Sequence, residues 1–201
     1  MQRKKIAVIG GGQIGTIIAL MVTQKELGDV VIIDLPDYLD PIRGKVLDID
    51  HLRPHIGTDV NLSVSSDYAE ITGADVIIVT AGVARKPNMS REDLLFINID
   101  IIKGVAEQIK THCPDAFVIV ATNPVDTMTY VFHKVSGFPK QRVVGLSGAL
   151  DTGRFQSFIA EETGLSVKDV SCMVIGGHGP TMVPLVSTAS VAGIAIADLL
   201  S

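Results

Sequence analysis

Gly10, Gly12 and Gly15 form a G-x-G-x-x-G motif directly behind a short apolar run, Ile6 to Ile9. Glycine-rich turns occur in many folds, so the flanks carry the weight. A helical pattern runs from about Ile14 to Glu26, and a second apolar run, Val30 to Ile33, ends in Asp34, nineteen residues after Gly15. Strand, glycine turn, helix, strand and acidic residue at these spacings predict a βαβ unit that grips a dinucleotide. The first glycine permits the tight turn, the second admits a pyrophosphate close to the backbone, and the third lets the helix pack on the strand. The free N–H groups and the positive dipole end of that helix then face the phosphates. Asp34 is placed to accept the ribose hydroxyls and to repel a 2′-phosphate, which selects NAD over NADP.

Composition excludes several classes. The chain has 201 residues, 47% of them hydrophobic, enough for one good core and part of a second. Seventeen basic residues against twenty-two acidic ones, with no long basic run, argue against a nucleic-acid partner. The basic start Arg3-Lys4-Lys5 followed by an apolar stretch imitates a signal peptide, but three consecutive glycines interrupt it. No uninterrupted apolar stretch approaches the roughly 18 residues of a membrane span. The two cysteines, Cys113 and Cys172, have no metal or redox spacing and read as buried thiols of a cytoplasmic protein.

Further along, Gly44 to His51 reads as a helix. His51 and His55 invite a metal site, which Pro54 argues against by breaking the helix that would align them. A short strand near Val60 to Val64 and a small helix near Tyr68 follow. Ala74 to Thr80 is a β-branched run suited to a central parallel strand buried on both faces. It leads into Ala81 to Arg91, a loop with Arg85, Lys86 and Arg91, read either as a ligand loop or as a solvated basic one. A long helix then shows Leu94, Ile97, Ile101, Val105 and Ile109 as one apolar core stripe. The strand Ala116 to Ala121 closes on Thr122-Asn123-Pro124, where proline keeps Asn123 extended; an ordinary strand-stopping turn is the competing account.

After a helix from about Val125 to Val135 and a strand at Val143-Val144, the pattern changes. Asp151 and Arg154, three apart at a helix start, share a face and read either as site residues or as a surface ion pair. One strand is expected over Val170 to Ile175. The Gly176-Gly177-His178-Gly179 segment then exposes a histidine with little cover from its neighbours, a ligand-facing base or a turn histidine.

GGGQIG, the strand-ending Asp34, GKVLDIDH, TAGVARKPNMSREDLL, ATNPVD, SGALDTGRF and GGHG followed by MVPL, in this order, resemble the malate dehydrogenases of the lactate-dehydrogenase-like group. The resemblance spans essentially the whole chain. It implies an α/β doubly wound parallel sheet of the Rossmann type over 1–146 and an incomplete α+β substrate domain over 147–201. It also implies the cofactor NAD, a small-molecule dicarboxylate substrate and assembly as a homodimer or homotetramer. Cofactor contacts then fall on Gly10, Gly11, Gly12, Gln13, Ile14, Gly15, Asp34, Asn98, Ala121, Thr122 and Asn123. Arg85, Arg91, Asn123 and Arg154 match substrate-binding positions, and His178 the proton acceptor with Asp151 as its orienting partner.

The residue types suit that chemistry. Oxidising a 2-hydroxy acid requires a base beside the hydroxyl, and imidazole titrates near neutral pH. Arginine offers a planar fork that matches a carboxylate. Lactate dehydrogenases carry a neutral glutamine at the position matching Arg85, so the resemblance points to (S)-malate and oxaloacetate. The alternatives are a lactate-type 2-hydroxy acid dehydrogenase or an inactive NAD-binding fragment. Two departures stand out. Pro180-Thr181 follow GGHG where the family has an acidic residue, removing a backbone donor beside His178. The chain also stops at Ser201, which leads us to expect Ala189 to Leu200 to lack cover for its apolar side chains.

Overall fold

The structure, a computed structural model, describes residues 3–84, 87 and 89–200. The chain divides into two compact units, Met1–Gly145 and Leu146–Ser201.

The first unit alternates strands and helices: β1 (Lys5–Ile9), α1 (Gln13–Gln24), β2 (Asp29–Ile33), α2 (Leu39–Ile56), β3 (Leu62–Ser65), β4 (Val76–Val79), α3 (Arg91–His112), β5 (Phe117–Val120), α4 (Val125–Ser136) and β6 (Val143–Gly145). All six strands pair in parallel, in the order β3-β2-β1-β4-β5-β6. Consecutive side chains point to opposite faces of a strand. Ile6, Val8, Val30 and Ile32 therefore pack with Ala19 and Val22 of α1 and Ile42 and Val46 of α2. Ala7, Ile9, Val31, Ile33, Ile77, Val79, Val118 and Val120 pack on the other face with Ile102, Val105, Ala106 and Ile109 of α3 and Met128 and Phe132 of α4. Helices on both faces make the sheet doubly wound. The strand order reverses between β1 and β4, which places the loops after these two strands beside the crevice where such sheets bind ligands.

The second unit holds α5 (Gly148–Thr163), β7 (Val170–Ser171), β8 (Val174–Gly176), β9 (Met182–Pro184), β10 (Ser190–Val191), β11 (Ile194–Ala195) and the short α6 (Ile196–Leu199). β7, β10 and β11 form one antiparallel sheet, and β8 with β9 a hairpin. Among the described residues, no helix is long and apolar enough to cross a membrane.

Several expectations need correction. Pro54 does not break its helix: α2 runs through it to Ile56 and ends at Gly57, left-handed at φ 71°. Proline withholds one N–H from the Asp50 carbonyl, a loss confined to the last turn, while burial of Ile42, Val46 and Ile49 holds the helix down. His51 and His55 do lie four apart on one helix, although among the described residues no three His, Cys, Asp or Glu side chains converge as metal ligands. On α3 the buried row is Asn98, Ile102, Val105, Ala106 and Ile109, whereas Phe96 and Ile97 are exposed. The single strand expected over 170–175 is two. The chain leaves one sheet at Ser171 and enters the hairpin at Val174, whose N–H goes to Thr152 Oγ1 of α5 at 2.9 Å. Cys172 is half-buried rather than buried. The segment from Ala189 onward is not bare: Ala189, Val191 and Ile196 are buried against Ile159 of α5 and Val170 of β7.

Candidate functional site

In the first unit the site is built at the carboxyl ends of the parallel strands. Gly10 adopts φ 104°, a conformation open to glycine, and its N–H donates to the Ile33 carbonyl at 2.8 Å. Thr80 at the end of β4 donates its hydroxyl to the Gly10 carbonyl at 2.8 Å, which ties the turn to the neighbouring strand. A Cβ on Gly15 would stand 1.9 Å from the Gly10 oxygen, so α1 and the turn meet backbone to backbone. Gly12 is the opposite case: it is exposed, caps α1 without a side-chain bond, and a Cβ there would meet nothing within 4 Å. The first N–H groups of a helix have no partner within the helix. An open, side-chain-free N-terminus suits a pyrophosphate, and the residues present fit NAD there. Gln13 and Ile14 are exposed beside it, and Gly11 is buried.

Asp34 lies just past β2, half-buried, and both its oxygens accept backbone protons. Oδ2 takes Gly11 N–H at 2.6 Å and Oδ1 takes Leu35 N–H at 2.7 Å. The acidic residue and the glycine turn are thus one bonded unit. Sequence spacing put them near each other without signalling this link.

Ala121, Thr122 and Asn123 follow β5. Thr122 is buried and Asn123 exposed, joined to Pro124 by a cis peptide. Asn98 is buried on α3, its carboxamide bonded to the backbones of Val83 and Asn123. Ser90 starts α3 with a capping box, accepting Asp93 N–H at 2.9 Å while the Asp93 carboxylate accepts Ser90 N–H at 3.0 Å. Arg85 lies outside the described residues, and Arg91 is described by its backbone alone.

In the second unit, α5 and the β8–β9 hairpin bring three of the predicted residues together. Asp151, in the first turn of α5, is only 5% exposed. Its Oδ2 lies 2.7 Å from His178 Nδ1, and its Oδ1 accepts Arg154 Nη1–H at 3.0 Å. The pair Asp151–Arg154 is therefore no surface ion pair: its acid is buried and shared with the histidine. The hydrogen bond from His178 is the foremost cause holding the Asp151 carboxyl below the usual carboxylate range; burial opposes it and Arg154 adds to it. His178 is less bare than its glycine flanks suggest, with its side chain 20% exposed. Pro180 fits without loss. Met182 N–H donates to the Gly179 carbonyl at 3.0 Å across the turn, which puts proline at the second of four turn residues, where its fixed φ is favoured and no N–H is needed.

Comparison with known proteins agrees with this geometry. A family profile described as lactate/malate dehydrogenase, NAD binding domain, matches residues 4–145, and one described as lactate/malate dehydrogenase, alpha/beta C-terminal domain, matches residues 148–201. The malate dehydrogenase of Oceanobacillus iheyensis is 52% identical over 200 residues, covering 100% of this chain and 64% of that protein. The malate dehydrogenase of Geobacillus kaustophilus is 50% identical with the same coverage. Among solved structures, malate dehydrogenase from Picrophilus torridus in its apo form matches with TM-score 0.92 at 46% identity, covering 98% of this chain and 62% of that one. Lactate dehydrogenase from Cryptosporidium parvum, complexed with lactic acid and nicotinamide adenine dinucleotide, matches with TM-score 0.91 at 46% identity, covering 100% and 62%. The chain thus spans about 64% of the length of the curated relatives it matches. With an NAD-binding domain over 4–145 and a portion of the alpha/beta C-terminal domain over 148–201, the chain belongs to the lactate/malate dehydrogenase family of NAD-dependent dehydrogenases.

Proposed function

We propose that this protein is a malate dehydrogenase, interconverting (S)-malate and oxaloacetate with NAD. The observation that carries the reading is the buried Asp151 carboxylate 2.7 Å from His178 Nδ1. A carboxylate there makes Nδ1 the protonated nitrogen and assigns Nε2 as the atom that takes the hydroxyl proton. It also stabilises the imidazolium that results. NAD, when bound, would supply the acceptor for the hydride that leaves the carbon bearing that hydroxyl. Arg154, tethered to Asp151 at one nitrogen and otherwise exposed, offers the rest of its guanidinium to the substrate carboxylate next to the reacting carbon. Gly10 to Gly15 and Asp34 hold the cofactor, with Asn98, Ala121, Thr122 and Asn123 at its nicotinamide end. Asn123 also reaches the substrate, and Arg91 polarises its oxygen. Arg85 pairs with the second carboxylate and so selects a dicarboxylate.

Identity near 50% to bacterial malate dehydrogenases supports malate over lactate. Ile17 and Met21, exposed apolar side chains four apart on α1, support self-association as a homodimer or homotetramer. The test is NADH oxidation by the chain with oxaloacetate or pyruvate, alongside NADH binding. Faster turnover with oxaloacetate, with Arg85→Gln shifting preference towards pyruvate, is expected. NADH binding without turnover would replace this reading with a binding module, and preference for pyruvate in the parent with a lactate-type enzyme.

A further inference from the structure

Asp151 is followed by Thr152, and the two residues hold the β8–β9 hairpin at two points. Thr152 Oγ1 accepts the Val174 N–H at 2.9 Å, and Asp151 Oδ2 lies 2.7 Å from His178 Nδ1. The hairpin cannot supply the first of these bonds itself. Val174 stands opposite Pro184, which has no N–H, and one step along the ladder Leu185 donates to the Met173 carbonyl at 2.9 Å. Bonded and unbonded pairs alternate between antiparallel strands, so the N–H and carbonyl of Val174 point away from β9. Val174 is 6% exposed, and a buried N–H needs an acceptor. Gly148 completes the contact from α5: a Cβ there would stand 3.1 Å from the Val174 oxygen. Gly148, Asp151 and Thr152 have the i, i+3, i+4 spacing of one helix face, and that face carries the hairpin.

We propose that Thr152 is a positioning residue: by taking the Val174 N–H it fixes where β8 lies along α5, and so holds His178 at bonding distance from Asp151. This rests on the proposed function only in that His178 is there the base; the Asp151–His178 bond itself is a feature of the fold. Val174 precedes His178 by four residues, so a slip of β8 along α5 carries the imidazole with it. Thr152 acts through the backbone of β8 and not on the substrate. The proposed cofactor contacts all lie in the first unit, and loss of the Thr152 hydroxyl removes none of them.

Thr152→Val keeps the shape and removes the acceptor; Thr152→Ser keeps the acceptor and removes the methyl. Four readouts decide: solvent exchange of the Val174 amide and of the His178 Nδ1 proton, both followed by NMR, kcat for malate oxidation, and NADH affinity by fluorescence titration. In Thr152→Val we expect the Val174 amide to exchange at least tenfold faster, the His178 Nδ1 proton at least fivefold faster, and kcat to fall at least fivefold, with NADH affinity within twofold of the parent. Thr152→Ser should match the parent within threefold in all four. A freed Val174 amide beside an imidazole proton and a kcat like the parent's would make Thr152 merely structural and overturn the proposal. Unchanged Val174 exchange, a Thr152→Ser that behaves as Thr152→Val does, or an NADH affinity weakened tenfold or more would overturn it too. If the parent chain turns over neither malate nor oxaloacetate, the proposed function fails, while the two exchange measurements still decide the role of Thr152.

Should Thr152→Val fail to fold, Gly148→Ala displaces β8 at the same contact, its methyl 3.1 Å from the Val174 oxygen and the Thr152 hydroxyl left in place. The His178 Nδ1 proton is then expected to exchange at least threefold faster than in the parent, with NADH affinity within twofold. An imidazole proton as protected as the parent's would refute the link between the seat of β8 and the Asp151–His178 bond.

Discussion

Replacing Asp151 by asparagine keeps the volume of the side chain and removes its charge. In the proposed reaction that charge faces an imidazolium formed as the substrate hydroxyl gives up its proton. Opposite unit charges about 4 Å apart attract by about 4 kcal/mol at an effective dielectric constant of about 20. Exchanging a charge-assisted hydrogen bond for a neutral one loses about 1–1.5 kcal/mol. The amide can still bond to Nδ1, and Arg154, half in solvent, no longer competes for a carboxylate. The net loss is then about 2–4 kcal/mol in the transition state, or about 30- to 1,000-fold in kcat. NADH affinity, carried by the other unit, should not change. Steady-state kinetics of malate oxidation and a parallel NADH titration test this. A kcat within threefold of the parent would refute the coupling between Asp151 and His178.

The same substitution has a consequence for stability. The Asp151 carboxyl is held below its ordinary range, chiefly by the His178 hydrogen bond, so the fold binds its proton less readily than the unfolded chain does. Its contribution is present above the unfolded value of about 3.9 and is lost as pH falls through the folded one. Asp151→Asn should therefore flatten the acid side of the stability profile while lowering its plateau.

Two further substitutions probe the first unit. Gly15→Ala puts a methyl 1.9 Å from the Gly10 oxygen and must push α1 off the turn. Overpacking of this kind costs about 1–3 kcal/mol, so the thermal midpoint should fall by roughly 2–12 °C, and NADH affinity with it. An unshifted midpoint would contradict the contact. The Tyr68 hydroxyl is pushed up to about 12, first by burial and then by the Asp34 charge. It stays protonated in the fold while the unfolded chain ionises near about 10, so stability should drop as pH rises through that interval. Tyr68→Phe should abolish the slope in denaturant unfolding between pH 9 and 11, and an equal slope in both proteins would refute it.

How much of this was legible beforehand follows from range of interaction. The glycine turn, the parallel strands and Asp34 are local patterns of period and spacing, and they lie where the sequence puts them. The errors arise where distant parts decide. Pro54 stays helical because Ile42 and Val46 of its helix pack against β1, α1 and β2, elements well before it in sequence. Val170 to Ile175 reads as one strand because nothing local marks the step at which Thr152 of α5 captures the Val174 N–H. Asp151 and Arg154 look like a surface pair until the hairpin brings His178 over them. Ile97 keeps the helical spacing of a core residue yet is exposed, since the sheet covers only the face that carries Ile102 and Ile109. Asn98, which the resemblance places among the cofactor contacts, is a polar residue in that buried row, and no local pattern marks its bonds to Val83 and Asn123.

The bond from Gly11 N–H to Asp34 bears on any attempt to redesign cofactor preference. Replacing the acid to admit a 2′-phosphate also strips the glycine turn of its internal tether, because the carboxylate proposed to meet the ribose is the one that accepts the Gly11 N–H. If the proposed contacts hold, discrimination at the sugar and rigidity of the glycine turn are mechanically one property. A successful redesign must install a new acceptor for that amide together with the new cation, and a library varied at position 34 alone should yield variants that lose NADH faster than they gain NADPH.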